Sequence, residues 1–128
     1  MPKKFSDYSI EEVLKEDPKV LAILLEHEYS FSAPETIESI EQLKKAGAML
    51  GKLSNIYSYL IQLISIAKID VRQKKRQKVE KDIIDDAIDR KDVITNAAEA
   101  AKMKYNAISR MLTVKQQVNE ELKMTDGR

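Results

Sequence analysis

Seven cations fall within fourteen residues of this chain: Lys68, Arg72, Lys74, Lys75, Arg76, Lys78 and Lys81. At 3.6 residues per turn, Lys68, Arg72, Lys75 and Arg76 occupy about 100° of a helical wheel. Such a row tracks phosphates and displaces condensed counterions, so it binds with marked salt dependence and little sequence preference. The plainer reading is a solvated basic face paired with the acids that follow it. Asp82, Asp85, Asp89 and Asp92 lie at helical spacing and suit helix capping or such pairing better than metal binding. A transition-metal site in a helical bundle draws on Glu-x-x-His patterns, and none occurs. The one histidine, His27, sits between Glu26 and Glu28 with no cysteine to join it, which reads as a surface helix position. With no Gly-rich phosphate loop and no nucleophile–base constellation, no catalytic residue, metal or cofactor is expected.

The tyrosines bear on the same chemistry. Tyr57 and Tyr105 fall on apolar seam positions and are expected to be packed. No aromatic occurs from Val71 to Lys104, so binding through the cations is expected to rest on phosphates rather than on stacked bases.

The element that must position the cations precedes them. Ala46, Leu50, Leu53, Tyr57, Leu60, Ile64, Ala67 and Val71 recur at alternating spacings of four and three, a coiled-coil-type seam. Ile56, Tyr59, Leu63 and Ile66 form a second stripe beside it, so this helix needs partners on two sides. Ile94, Ala98, Ala101, Tyr105, Ile108 and Leu112 repeat the seam in a last helix reaching about Lys123. Two long helices of one period make a hairpin, with its reversal expected between about Gln77 and Asp85.

Upstream, Ser9 with Glu12 forms a capping box, Asp17–Pro18 starts a helix to about Tyr29, and Ser32, Pro34 and Glu35 signal the start of the first rod. Gly47 and Gly51, four apart, suggest close approach of another backbone. The short N-terminal helices offer too few turns to cover the second stripe, so a second chain is expected to meet it. Leu53, Ile56, Tyr57, Leu60, Leu63 and Ile64 are the expected oligomer interface.

The bulk figures agree with this layout. Of 128 residues, only three are Gly and three Pro, which disfavours a hairpin-rich sheet protein. The net charge of +1 conceals a central segment, residues 46–81, with eight Lys/Arg against two Asp/Glu. The chain has no cysteine, no signal-peptide core and no uninterrupted apolar run long enough for a membrane span. The expectation is a single all-α domain (1–31 short helices, 32–128 long antiparallel hairpin) that assembles into a helical oligomer and resides in the cytoplasm.

From Ile40 to Lys123 the layout resembles the UvsY-type recombination mediators of tailed phages. The likeness rests on Leu53-Ser-Asn-Ile-Tyr57-Ser-Tyr59-Leu60 running into the basic cluster, on Asp89-Arg-Lys-Asp92, and on Lys102-Met-Lys-Tyr105. It implies a non-enzymatic, oligomeric single-stranded DNA-binding protein that helps load a recombinase, encoded by a phage and acting in the bacterial host cytoplasm. Lys68, Arg72, Lys74, Lys75 and Arg76 match the family's DNA-binding cluster. A different class is also compatible with the double stripe: a helical protein-interaction module such as an inhibitor of a host protein or an assembly subunit.

Overall fold

The computed structural model describes residues 3–28 and 37–126, with side chains as far as Val114. A 3-10 turn at Phe5–Asp7 leads to α1 (Ile10–Val13), α2 (Pro18–Glu28), α3 (Ile40–Arg76) and α4 (Lys81–Asp126). No strand occurs among the described residues. At 1.5 Å per residue, α3 with its 37 residues and α4 with its 46 are rods of about 56 and 69 Å.

Local signals fix most boundaries. The Ser9 hydroxyl accepts from the Glu12 amide while the Glu12 carboxylate accepts from the Ser9 amide, each at 3.2 Å. The Asp17 carboxylate accepts from the amide of Lys19, the second residue of α2, at 2.8 Å. α3 does not start near Pro34 as expected. Ile37 to Ser39 are not helical, and a second box closes on Ser39 and Gln42. Its Gln42 side chain also reaches the Glu38 amide, which satisfies a further donor ahead of the helix. The earlier signal at Ser32 to Glu35 lies outside the described residues.

The reversal occupies Gln77 to Glu80 and is built without glycine. Lys78 takes φ 53°, the Lys78 amide donates to the Lys75 carbonyl, and the Val79 amide donates to the Lys74 carbonyl. This is a Schellman closure with lysine in the left-handed position.

α3 and α4 run antiparallel and bury two connected clusters. Ala46 and Leu53 meet Ala101 and Ile108 in one, with Ile37 covering the end. Leu60, Leu63 and Ala67 meet Ile94 and Ala98 in the other. Phe5, Val13, Leu21 and Leu25 complete that second cluster, α2 lies along α4, and Phe5 meets Tyr59 edge-to-face at 6.1 Å. The N-terminal segment thus covers the second stripe of α3 at Leu63, while Tyr59 on the same stripe stays exposed. The cover expected from another chain comes from the chain itself at Leu53, Leu60 and Leu63, which are 0%, 0% and 1% exposed. Three short elements suffice because they converge on one point rather than running the length of the rod.

One polar contact braces that segment internally and another ties it to the hairpin. The Tyr8 hydroxyl donates to the Glu16 carboxylate at 2.8 Å, and this bond, with burial behind it, pushes the phenol's pKa up. Arg90, only 8% exposed, donates from Nε to the Glu16 carbonyl and so ties the turn between α1 and α2 to α4.

Gly47 and Gly51 face open space, since an added methyl group would meet nothing within 4 Å. No backbone packs on them, contrary to the expectation of close approach. Gly47→Ala and Gly51→Ala should each stabilise the fold by about 0.5–1 kcal/mol through helix propensity and a less disordered unfolded chain. Urea or thermal unfolding measures this, and a loss of stability would reveal a contact on that face. Leu63→Asp should cost several kcal/mol by burying an unpaired charge under the N-terminal segment.

Candidate nucleic-acid interface

The last three turns of α3 present the cations in three directions. Lys68, Arg72, Lys75, Arg76, Lys78 and Lys81 are exposed, and among the described residues none of them forms an ion pair. Lys74 differs, because its ammonium meets the Asp70 carboxylate at 2.8 Å with both side chains largely buried. It is neutralised on the flank of the hairpin that carries the N-terminal segment. Lys78 is committed to the left-handed turn, and Lys81 opens α4.

Lys68, Arg72 and Lys75 share the opposite, open flank. A helical wheel puts them within about 60° of one another and of Tyr57 and Ile61. Arg76 lies further round, toward the back of α3. On α4, Lys91 and Lys102 are eleven residues apart, an angular step of about 20°, so they also share a side. That side is the open flank, because Lys102 lines a cleft with Ser54 and Tyr57. Lys91 keeps a loose contact to Asp92 at 3.5 Å.

The acids that follow the basic run do not neutralise it. Asp82, Asp85, Asp86 and Asp89 are exposed, and no ion pair links them to the run. By helical spacing Asp82, Asp86 and Asp89 lie on the side of Asn96 and Ala100, which border α2. Helical phase separates the two signs of charge, leaving acids toward the N-terminal segment and cations toward the open flank. The pairing with the following acids anticipated in the plain reading of the run is not formed; the ion pair of Lys74 is with Asp70, which lies within the run.

The expected interface residues are divided differently from the expectation. Leu53, Leu60 and Leu63 are core, while Ile56, Tyr57 and Ile64 are half-buried and pack against it. The surface of α3 left free is its back, where Gly47, Gly51, Ser54, Ser58 and Ser65 alternate with exposed Ile61 and Ile69. Between Lys52 and Lys68 this helix carries no charge at all. Periodicity could have found this face, since Gly47, Gly51, Ser58, Ser65 and Ile69 lie away from the seam, with Ser54 and Ile61 at the border with the open flank.

His27 is exposed in the last turn of α2, where a cation meets the negative end of the helix dipole. Among the described residues no group of three or more His, Cys, Asp or Glu is placed to hold a metal ion, and no helix is long and apolar enough to cross a membrane. No family model, curated protein or solved structure matches the chain.

Lys78 allows the local geometry to be tested apart from its charge. Lys78→Gly should raise stability by up to about 1 kcal/mol, because glycine enters the left-handed region without steric cost. Lys78→Val should lower it by more than that, because a β-branched residue resists this backbone. Chemical denaturation of the two variants measures the difference.

Proposed function

We propose that the protein is a non-enzymatic, single-stranded nucleic-acid-binding accessory protein that grips the phosphate backbone along the open flank of the hairpin. The observation that carries this reading is the alignment of Lys68, Arg72 and Lys75 on one exposed side with no carboxylate partner. Unpaired cations in a row release counterions when they meet phosphates, whereas paired ones gain little. The resemblance to UvsY-type mediators supplies a setting for the reading: recombination or replication, with a recombinase as protein partner and several copies sharing one strand. Copies arrayed in this way add weak contacts into avidity.

Fluorescence anisotropy with a labelled single-stranded oligonucleotide tests the reading. Binding should weaken with salt along a slope of log K against log salt of about −2, the value for three phosphate contacts on a single strand. K68E/R72E/K75E should abolish binding at moderate salt, while Lys74→Ala, which removes a neutralised cation, should leave it unchanged. No binding at low salt, or binding indifferent to salt, overturns the reading.

One observation favours a second reading, a helical self-association module. The back of α3 is free of charge over four turns and exposes Ile61 and Ile69, which is unusual in a chain with 34% charged residues. Light scattering should then give a mass above 14.6 kDa, and Ile69→Glu should return it to the monomer without loss of helicity.

A further inference from the structure

We infer that the cleft formed by Tyr57 and Tyr105 is a base-stacking subsite, through which the open flank holds the bases of a single-stranded nucleic acid as well as its phosphates. This inference rests on the nucleic-acid reading above and adds to it the part of the ligand that the cations cannot recognise.

The cleft measures about 240 Å³ and is lined by Ser54 and Tyr57 of α3 and by Lys102, Tyr105 and Asn106 of α4. Both tyrosines stand at seam positions, where continuous heptads would bury them, yet Tyr57 is only half-buried and Tyr105 is 37% exposed. Neither ring engages another aromatic, and neither hydroxyl meets a hydrogen-bond partner, among the described residues. The described part of the N-terminal segment, which buries Leu63 on the other flank, contributes no residue to the cleft's lining. Both tyrosines therefore keep accessible surface in a cleft whose described lining comes only from α3 and α4.

The chemistry beside them selects the class of ligand. Lys102 stands within the cleft, and its ammonium has no carboxylate partner among the described residues. Lys68 lies eleven residues beyond Tyr57 on almost the same line of α3, about 16 Å toward the hairpin tip. Because α4 is antiparallel, Lys91 lies the same distance beyond Lys102 in the same direction. Arg72 and Lys75 extend the row to about 27 Å from Tyr57. Aromatic faces at one end and a line of cations at the other form the combination that binds single strands: stacking is tolerant of sequence, and the backbone is tracked by charge. A duplex keeps its bases stacked inside and offers only phosphates, so the cleft discriminates against it.

The experiment compares three ligands of equal length by anisotropy at one salt concentration: an oligo-dT strand, the corresponding abasic strand and a duplex. The wild type should bind oligo-dT at least about tenfold more tightly than the abasic strand, as expected from one or two stacked bases. Y57L/Y105L should bind oligo-dT no better than the abasic strand, with the slope against salt unchanged. Y57F/Y105F, which keeps both π-faces, should retain wild-type binding. Equal affinity of the wild type for oligo-dT and the abasic strand overturns the stacking subsite while leaving the phosphate reading intact. Failure to bind any of the three at low salt overturns both. Should the leucine variant fail to fold, the wild-type comparison decides alone.

Discussion

The fold depends on one constraint: the apolar surface of α3 is too wide for a single partner. Leu60 and Leu63 are three residues apart, about 60° around the helix, and both are sealed from water. The stripe continues past Leu63 to Tyr59 and Ile66, about 100–120° from Leu60, which is wider than one neighbouring helix covers. α4 takes the Leu53–Leu60–Ala67 side, and the 3-10 turn, α1 and α2 take the Leu63 side. Everything on the surface follows from this division. One flank of the hairpin is occupied by the N-terminal segment, and the other is left to the half-buried tyrosines and to the cations that share their helical phase.

The positions of those cations separate two physical explanations. A basic last turn is favoured at any helix C-terminus, because the unsatisfied carbonyls carry partial negative charge. Lys74, Lys75 and Arg76 occupy that turn of α3, and the dipole accounts for them without any ligand. It does not account for Lys68 and Arg72. Those residues stand one to two turns earlier, where the dipole's effect has faded, and neither has a carboxylate partner among the described residues. Asp70 lies between them in sequence but turns to the opposite flank, where it neutralises Lys74. Lys68 and Arg72 are therefore unpaired cations at positions that the dipole of α3 does not explain.

Period and capping made the two rods, their antiparallel pairing and the short N-terminal helices legible in the sequence. What was not legible depends on contacts between distant residues. The cover of Leu63 comes from Phe5, Val13, Leu21 and Leu25, and no local pattern tells which of several apolar patches will converge on a given stripe. Two similar capping signals stood seven residues apart at Ser32 and Ser39, and propensity does not rank them. The reversal falls within the expected span from Gln77 to Asp85, but the form of its turn was not legible, because Lys78 rather than a glycine adopts the left-handed conformation. For the site, the basic row was legible as a wheel, but the division of its members was not. That Lys74 is paired follows from Asp70 one turn before it on the same helix, whereas which flank stays open follows only from the docking of the N-terminal segment.

The near-neutral total charge constrains how such a flank can work. With a net charge of +1, the chain exerts little long-range pull on a polyanion, and at physiological salt the field of each cation decays within about 8 Å. Attraction must therefore be local to the row, and three or four phosphate contacts per chain support only weak binding. On the proposed function, stacking would add affinity that salt does not screen, and several chains on one strand would multiply it. The geometry permits both at once. The charge-free back of α3, with Gly47, Gly51, Ser58 and Ile69, is turned by roughly 80° from the line of Tyr57, Lys68 and Lys75. Copies that meet through the back would leave the cations and the tyrosine cleft open. Contact through the buried stripe would instead require the N-terminal segment to be displaced, at the cost of exposing Leu63. Of the two routes to assembly, only the one through the back is compatible with the fold as it stands.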